Sequence, residues 1–447
     1  YVYSSELMPL KADPPRNPPA AEKPLYEVNY AQGGGPQFIA EHMGIGVTLM
    51  GIEQTPETPA SLRVYLMLQS SLAQEAGVSL EWASADGVMM NSSGSASIPA
   101  GDSALMSFDL PVGSARARDI RFGLLVNDDV VNSLGWTALN MTGVSREFMR
   151  LAARMGNWVS MGEVRVQTDF SLPSLAQPTE GPAFEPRLLW EGDGITIEQA
   201  GLPAADGTQL EVPLKITNRS KVFDLVQLEK SAVNGIMAGL TMPERVQPGS
   251  VLYATARVDM KRVVLPDEYA EFQGMMDMIE NLETLGIRQV RDITLRFALD
   301  SAARLGRAGR DAVRRLTDYV TLTLPGMEGF EQPLDQAGEE IFTGYGVRAV
   351  RLSSDPAGRT FYIENSGKTA VRVDTFGHTR VDGESYGENI PLYAEVFPGS
   401  AAYARLFDYI PTIEPQAKEI SFYISVIDMD ENRLLGRSAE RITLTLP

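Results

Sequence analysis

Arg291-Asp292-Ile293-Thr294-Leu295-Arg296-Phe297-Ala298-Leu299 is the stretch on which the reading of this chain turns. Ile293, Leu295, Phe297 and Leu299 fall on one face at period two, the alternation of a half-buried strand. Working outward, Gly194-Ile195-Thr196-Ile197 opens a strand, and Leu214-Lys215-Ile216-Thr217-Asn218 alternates and stops on a polar residue. Asn234-Gly235 supplies a tight turn and Val246-Gln247-Pro248-Gly249 a second. A strand then runs through Val251, Tyr253 and Ala254, and Tyr319-Val320-Thr321-Leu322-Thr323-Leu324 closes the unit. Asn-Gly and Asp-Gly accept the positive φ angles that two-residue hairpins need.

The same script runs twice more. A later copy reads Gly346-Val347, Phe361-Tyr362-Ile363-Glu364-Asn365, Asp382-Gly383, Val396-Phe397-Pro398-Gly399 and Glu419 to Ile424, and closes on Ile442-Thr443-Leu444-Thr445-Leu446. An earlier, looser copy reads Gly44-Ile45, Val64 to Leu68, Asp86-Gly87, Ile98-Pro99-Ala100-Gly101 and Arg118 to Phe122, with a last strand at Val164 to Phe170. The period is domain-sized, not that of a solenoid. The expected fold is all-β: three tandem immunoglobulin-like β-sandwich domains, each enclosing its own core. The boundaries are a proline-rich linker at 1–25, a divergent repeat at 26–180, a second repeat at 181–330 and a third at 331–447. Spacers rich in Pro, Gly and acidic or amide residues fall at Ser171 to Pro182 and Pro325 to Ala337.

Two copies carry insertions expected to be short helices. Tyr269, Phe272, Met276, Ile279, Leu282 and Leu285 recur at helical steps, with Pro266 suited to a start and Gly286 to a stop. In the first copy Val144, Phe148, Leu151, Ala152 and Met155 make an apolar stripe, and Arg146, Arg150 and Arg154 a basic one. Such a helix either lids a sandwich or docks a partner; an apolar helical stripe is normally a buried face.

Composition narrows the function classes. A chain of 447 residues has room for three domains. With no cysteine it has no disulfide, thiolate nucleophile or cysteine-held metal. A net charge of −19 argues against nucleic acid and anionic membranes as partners. No stretch has the length and apolarity of a membrane span. Lys11 to Pro19 is read as a semi-rigid stalk below an upstream anchor or signal, against the alternative of an ordinary terminus.

Candidate chemistry is sparse, so no catalytic residue, cofactor or metal is assigned. The two histidines, His42 and His378, lie in different repeats with no Gly-x-Ser-x-Gly elbow beside either. Gly33-Gly34-Gly35 lacks the strand and helix of a phosphate loop. Asp428-Met429-Asp430-Glu431-Asn432 spaces oxygens as calcium loops do, but Arg433 stands where the loop glycine belongs; a polar hairpin tip is the other reading. A possible ligand surface combines Trp136 and Trp158, for stacking on sugars, with Arg304, Arg307, Arg310 and Arg314, for a polyanion. Trp82 and Trp190 read as core.

The set Gly194-Ile195, Leu214 to Ser220, Val233 to Gly235, Val246 to Gly249 and Asp292 to Phe297 resembles a repeat of uncharacterised, lipoprotein-like cell-envelope proteins of Gram-positive gut bacteria. The resemblance covers the second and third copies well and the first in part. It implies immunoglobulin-like sandwiches that are lipid-anchored or secreted, and it carries no activity or catalytic residue. The expectation is therefore a non-catalytic, exported or surface-tethered modular protein that binds a protein or glycan, or acts as a spacer. A cell-surface carbohydrate-binding protein and a hydrolase on a β scaffold are the rivals.

Overall fold

Period-two runs become strands throughout the chain, and no helix forms among the described residues. A computed structural model describes residues 24–42, 44–55, 61–73, 75–89, 93–112, 116–128, 159–172, 184–205, 207–261, 281–301, 315–327, 329–385, 392–406 and 418–446. The chain divides into two units, residues 1–180 and 181–447.

The first unit holds β1 (Leu25–Asn29), β2 (Gln37–His42), β3 (Ile45–Gln54), β4 (Ser61–Ser70), β5 (Ala76–Ala85), β6 (Val88–Met89), β7 (Ser95–Ile98), β8 (Ser103–Pro111), β9 (Arg116–Asp128) and β10 (Val159–Ser171). One sheet runs β2-β3-β4-β8, all antiparallel. The other runs β1-β10-β9-β5, with β6 and β7 also on β5, and only β1–β10 is parallel. The sheets share one core, in which Ile45, Leu49 and Leu66 meet Val78, Ile120 and Val166. Phe108 and Phe122 touch edge-on with centroids 5.4 Å apart.

The second unit begins with β11 (Arg187–Gly192), β12 (Ile195–Gln199), β13 (Ala204–Ala205), β14 (Gln209–Asn218), β15 (Leu225–Val233), β16 (Ile236–Met237), β17 (Val251–Asp259), β18 (Asp292–Asp300), β19 (Arg315–Leu316) and β20 (Val320–Thr323). It continues with β21 (Gly338–Gly344), β22 (Val347–Leu352), β23 (Thr360–Asn365), β24 (Val371–Val381), β25 (Glu384–Ser385), β26 (Tyr393–Val396), β27 (Ser400–Arg405), β28 (Glu419–Asp428), β29 (Arg433–Arg437) and β30 (Ile442–Thr445). The first-sheet order is repeated as β11-β12-β14-β17 and as β21-β22-β23-β27. The second-sheet core, β5-β9-β10 in the first copy, is repeated as β15-β18-β20 and β24-β28-β30.

The repeated turns have repeated geometry. Asp86-Gly87, Asn234-Gly235 and Asp382-Gly383 all sit at positive φ, between 49° and 83°. Their side chains do more than allow a turn. Asp86 Oδ1 accepts the backbone N–H groups of Arg118 and Asp119 at 2.9 Å each. Asn234 Oδ1 takes those of Arg291 and Asp292, and Asp382 Oδ1 those of Lys418 and Glu419. Each turn therefore anchors the start of the central strand that follows far along the chain. The strand-end asparagines are equally placed. Asn218 and Asn365 are fully buried. Asn218 Nδ2 donates to the carbonyls of Phe223 and Val246, and Asn365 Nδ2 to those of Thr369 and Val396. Ser70 stands at that register position in the looser first copy.

Three expectations change in detail. Gly44, Gly194 and Gly346 do not open strands; each is a turn residue at φ 77–80° that joins an earlier edge strand to the next. Those edge strands, β2, β11 and β21, each carry a bulge, so their side chains break the alternation that reveals a strand in sequence. The spacer at Pro325 to Ala337 is tied down: Arg291 donates to the Phe330 carbonyl, Asn234 to the Gln332 amide, and the Asp335 N–H to Tyr403 Oη. The insertion helices lie outside the described residues, apart from residues 281–286, which form turns ending at Gly286.

Within the second unit the repeats meet. Ile236 in β16 pairs in parallel with Ala401 in β27, making one sheet of nine strands among the described residues. The Ala401 N–H donates to the Gly235 carbonyl at 2.8 Å. Ala232 and Met237 of the second copy join the core cluster of the third, so these two interiors are not separate.

Candidate functional site

Every copy turns one face of its second sheet away from its core, and one pair of positions on it can be matched by register. Ile293 pairs with Leu322 and Leu295 with Val320, so Arg296 and Tyr319 come next on the outer face. Ile420 pairs with Leu444 and Phe422 with Ile442, so Tyr423 and Arg441 are their counterparts. Ile120 pairs with Val166 and Phe122 with Val164, which puts Gly123 and Glu163 there in the first copy.

In the first copy this place is filled from within. Trp82 lies over Gly123, where a Cβ would fall 2.5 Å from the indole nitrogen, so Trp82 is buried on this outer face and not in the core where the sequence reading put it. Beside it Asp119 accepts hydrogen bonds from Arg121 at 2.8 Å and Arg165 at 2.8 Å, while Glu163 and Glu27 flank the two guanidinium groups. Burial pushes the Asp119 carboxyl up, but hydrogen bonds from Arg165 and Arg121 outweigh it and hold the group below its ordinary value.

In the second copy Arg296 lies over the Tyr319 ring, 4.8 Å from its centroid. Its side chain is 8% exposed and donates to the Thr317 carbonyl, to Tyr319 Oη and to Asp430 Oδ1 at 2.6 Å. Asp430 belongs to the third copy, at the tip joining β28 to β29. Tyr319 also meets Phe397 of the third copy edge-on at 4.8 Å. Burial pushes the Tyr319 phenol up to about 12; Arg296 opposes this, and Asp430 and Asp428 add to it. Nearby, Lys230 pairs with Glu395 at 2.8 Å across the same seam, over a small crevice also lined by Met237, Tyr393 and Tyr403.

In the third copy the pair is kept with its members exchanged: Arg441 lies over Tyr423, again 4.8 Å from the centroid. A second pair stands beside it, with Arg437 stacked 3.5 Å over Phe376, the cross-strand neighbour of Tyr423. Phe376 is 41% exposed and Arg437 is exposed. A bulge follows Phe376, where residues 377–379 of β24 stand against the single residue Phe422 of β28. Asp374, on the same face, has its carboxyl pushed up by burial against the pull of Arg372.

The acidic tip is organised as a turn. Asp428 Oδ1 accepts the N–H groups of Asp430 and Glu431, Asp430 is held by Arg296, and Glu431 pairs with Arg433 at 3.0 Å. Among the described residues no group of three or more His, Asp or Glu side chains is gathered as metal ligands. Likewise no described helix is long and apolar enough to cross a membrane.

No protein-family model matches the chain, and no curated protein matches it either. Among solved structures, a conserved domain protein from Bacillus anthracis is similar over 64% of this chain and 89% of its own, at 9% identity and TM-score 0.20. A protein of unknown function from Porphyromonas gingivalis is similar over 63% and 100%, at 12% identity and TM-score 0.16. Oxalate decarboxylase of Bacillus subtilis is similar over 54% and 83%, at 14% identity and TM-score 0.10. Scores this low carry no argument about fold or chemistry, so the site rests on its own residues.

Trp136, Trp158, Arg304, Arg307, Arg310 and Arg314 all lie outside the described residues. The residues that do gather on matched faces, Arg296, Tyr319, Asp430, Phe376, Tyr423, Arg437 and Arg441, carry no motif. Their only sequence signal is the alternate position each holds beside the strands that define the repeat.

Proposed function

We propose that this chain is a non-catalytic, exported or surface-tethered protein of tandem immunoglobulin-like domains that acts by binding at the cell envelope. The observation that carries the reading is the contrast between matched faces. The second copy spends its outer face gripping the third, while the third leaves an aromatic and arginine face open. A molecule whose repeats share one plan and differ in what their outer faces do is built for contact. The repeated strand order of two antiparallel sheets supports the immunoglobulin-like assignment. The tied-down spacer and shared sheet support a stiff junction that presents the third copy, the spacer part of the role.

Fractionating cells that make the protein, then incubating the purified chain with their washed envelopes, tests this. Saturable retention on envelopes is expected. A protein confined to the cytosol, with no retention, overturns the reading. The carbohydrate reading makes a different forecast: glycan-array binding lost in Trp136→Ala or Trp158→Ala.

A further inference from the structure

We infer that the open face of the third copy, formed by Phe376, Tyr423, Arg437 and Arg441, docks an acidic loop of a partner protein. The inference rests on the envelope-binding reading and names the chemistry of the partner.

The molecule supplies its own precedent. At the register-matched place in the second copy, an arginine stacked on a tyrosine receives the Asp430 carboxylate from a hairpin tip. Stacking holds the guanidinium flat and limits the rotamers it must give up, which favours carboxylate capture. The third copy keeps the stacked pair with Arg441 over Tyr423 and adds Arg437 over Phe376. Arg441 and Tyr423 are half-buried, and Arg441 is held by donating to the Ser421 carbonyl at 3.1 Å, so the exposed part of the face is Phe376 and Arg437. Arg380, also exposed, precedes the β24–β25 turn on this face. Arg372, Arg380, Arg437 and Arg441 outnumber Asp374 and Glu419 on this face, with Glu395 already paired to Lys230, and this positive excess on a chain of net charge −19 favours an anionic occupant. The flanking rings offer apolar surface beside the cations, and in the internal example a single carboxylate, that of Asp430, is the group received.

The probe is a fluorescent cyclised peptide carrying residues 428–432, Asp-Met-Asp-Glu-Asn, titrated against the full chain by anisotropy. Binding is expected to weaken with salt, to be lost when the peptide acids become amides, and to weaken about tenfold in Arg437→Ala and in Phe376→Ala. Both substitutions are at exposed positions, and circular dichroism reports whether each variant folds. No binding by the wild-type chain, equal binding of the amide peptide, or unchanged binding by Arg437→Ala overturns the inference. Envelope retention separates this from the broader reading. Retention by the wild type and by Arg437→Ala alike leaves envelope binding standing and overturns this face as its cause.

Discussion

The second and third copies place the same two kinds of side chain at the same register, with the roles exchanged. In the second, the arginine is on the central strand and the tyrosine on its neighbour; in the third, Tyr423 is central and Arg441 flanks it. The ring-to-cation distance is the same, yet Arg296 is buried against Asp430 of the third copy, while Tyr423 and Arg441 are half-buried beside the exposed Phe376 and Arg437. A cation–π pair is thus a common way to finish this face, and what covers it decides whether it is structural.

The largest expected effect tests what the copies share. Asn218→Ala and Asn365→Ala each strip two buried carbonyls and one N–H of a partner, a loss of about 3–5 kcal/mol by chemical denaturation. Ser70→Ala in the first copy should cost only about 1 kcal/mol, since Ser70 Oγ accepts a single N–H from Leu72. Equal costs would break the claim that the first copy is the weaker version of one plan.

Next comes the exchanged pair itself. Arg296→Ala leaves Asp430 without its cation and opens the junction, an expected cost of about 3 kcal/mol. Arg441→Ala, on the open face, should cost less than about 1 kcal/mol. Calorimetry of the Arg296 variant should split the unfolding of the second unit into two transitions. A single unbroken transition would show that the shared sheet alone couples the copies.

A smaller change sharpens the turn comparison. Asn234→Asp keeps the acceptor for Arg291 and Asp292 but loses the donations to Gln289 and Gln332, at about 1 kcal/mol. The converse Asp382→Asn should be nearly neutral, because the third copy uses only the acceptor.

The smallest effects come from pH, and they separate copies at opposite ends of the scale. Asp119 titrates below its ordinary value of 3.8, so its contribution is present above that pH and is lost as pH falls below it. Tyr319 titrates above its ordinary value of 10, near 12, so its contribution is present below pH 10 and is lost as pH rises between the two. Asp119→Asn should flatten the acid limb of stability of the first unit. Tyr319→Phe should flatten the alkaline limb of the second.

Much of the architecture was legible because its causes are local. Ile293, Leu295, Phe297 and Leu299 alternate because a pleated strand does, and Asp86-Gly87, Asn234-Gly235 and Asp382-Gly383 mark turns because few residues tolerate positive φ. The edge strands β2, β11 and β21 were hidden because each bulge shifts the inside–outside phase midway. The acidic tip at 428–432 was legible as a turn but not as the partner of Arg296, which lies 134 residues away.

By itself the sequence determined the all-β class, the threefold recurrence and the turn positions, since backbone dihedrals and side-chain alternation depend on near neighbours. Only the tertiary structure decided that Asn234 and Asp382 anchor distant strands, that the second and third copies share a sheet, and that Arg296 of one arginine–tyrosine pair is buried against the next copy while Arg441 of its counterpart is not. Those outcomes depend on which surfaces meet after folding, and a residue's type carries no record of what will come to rest against it.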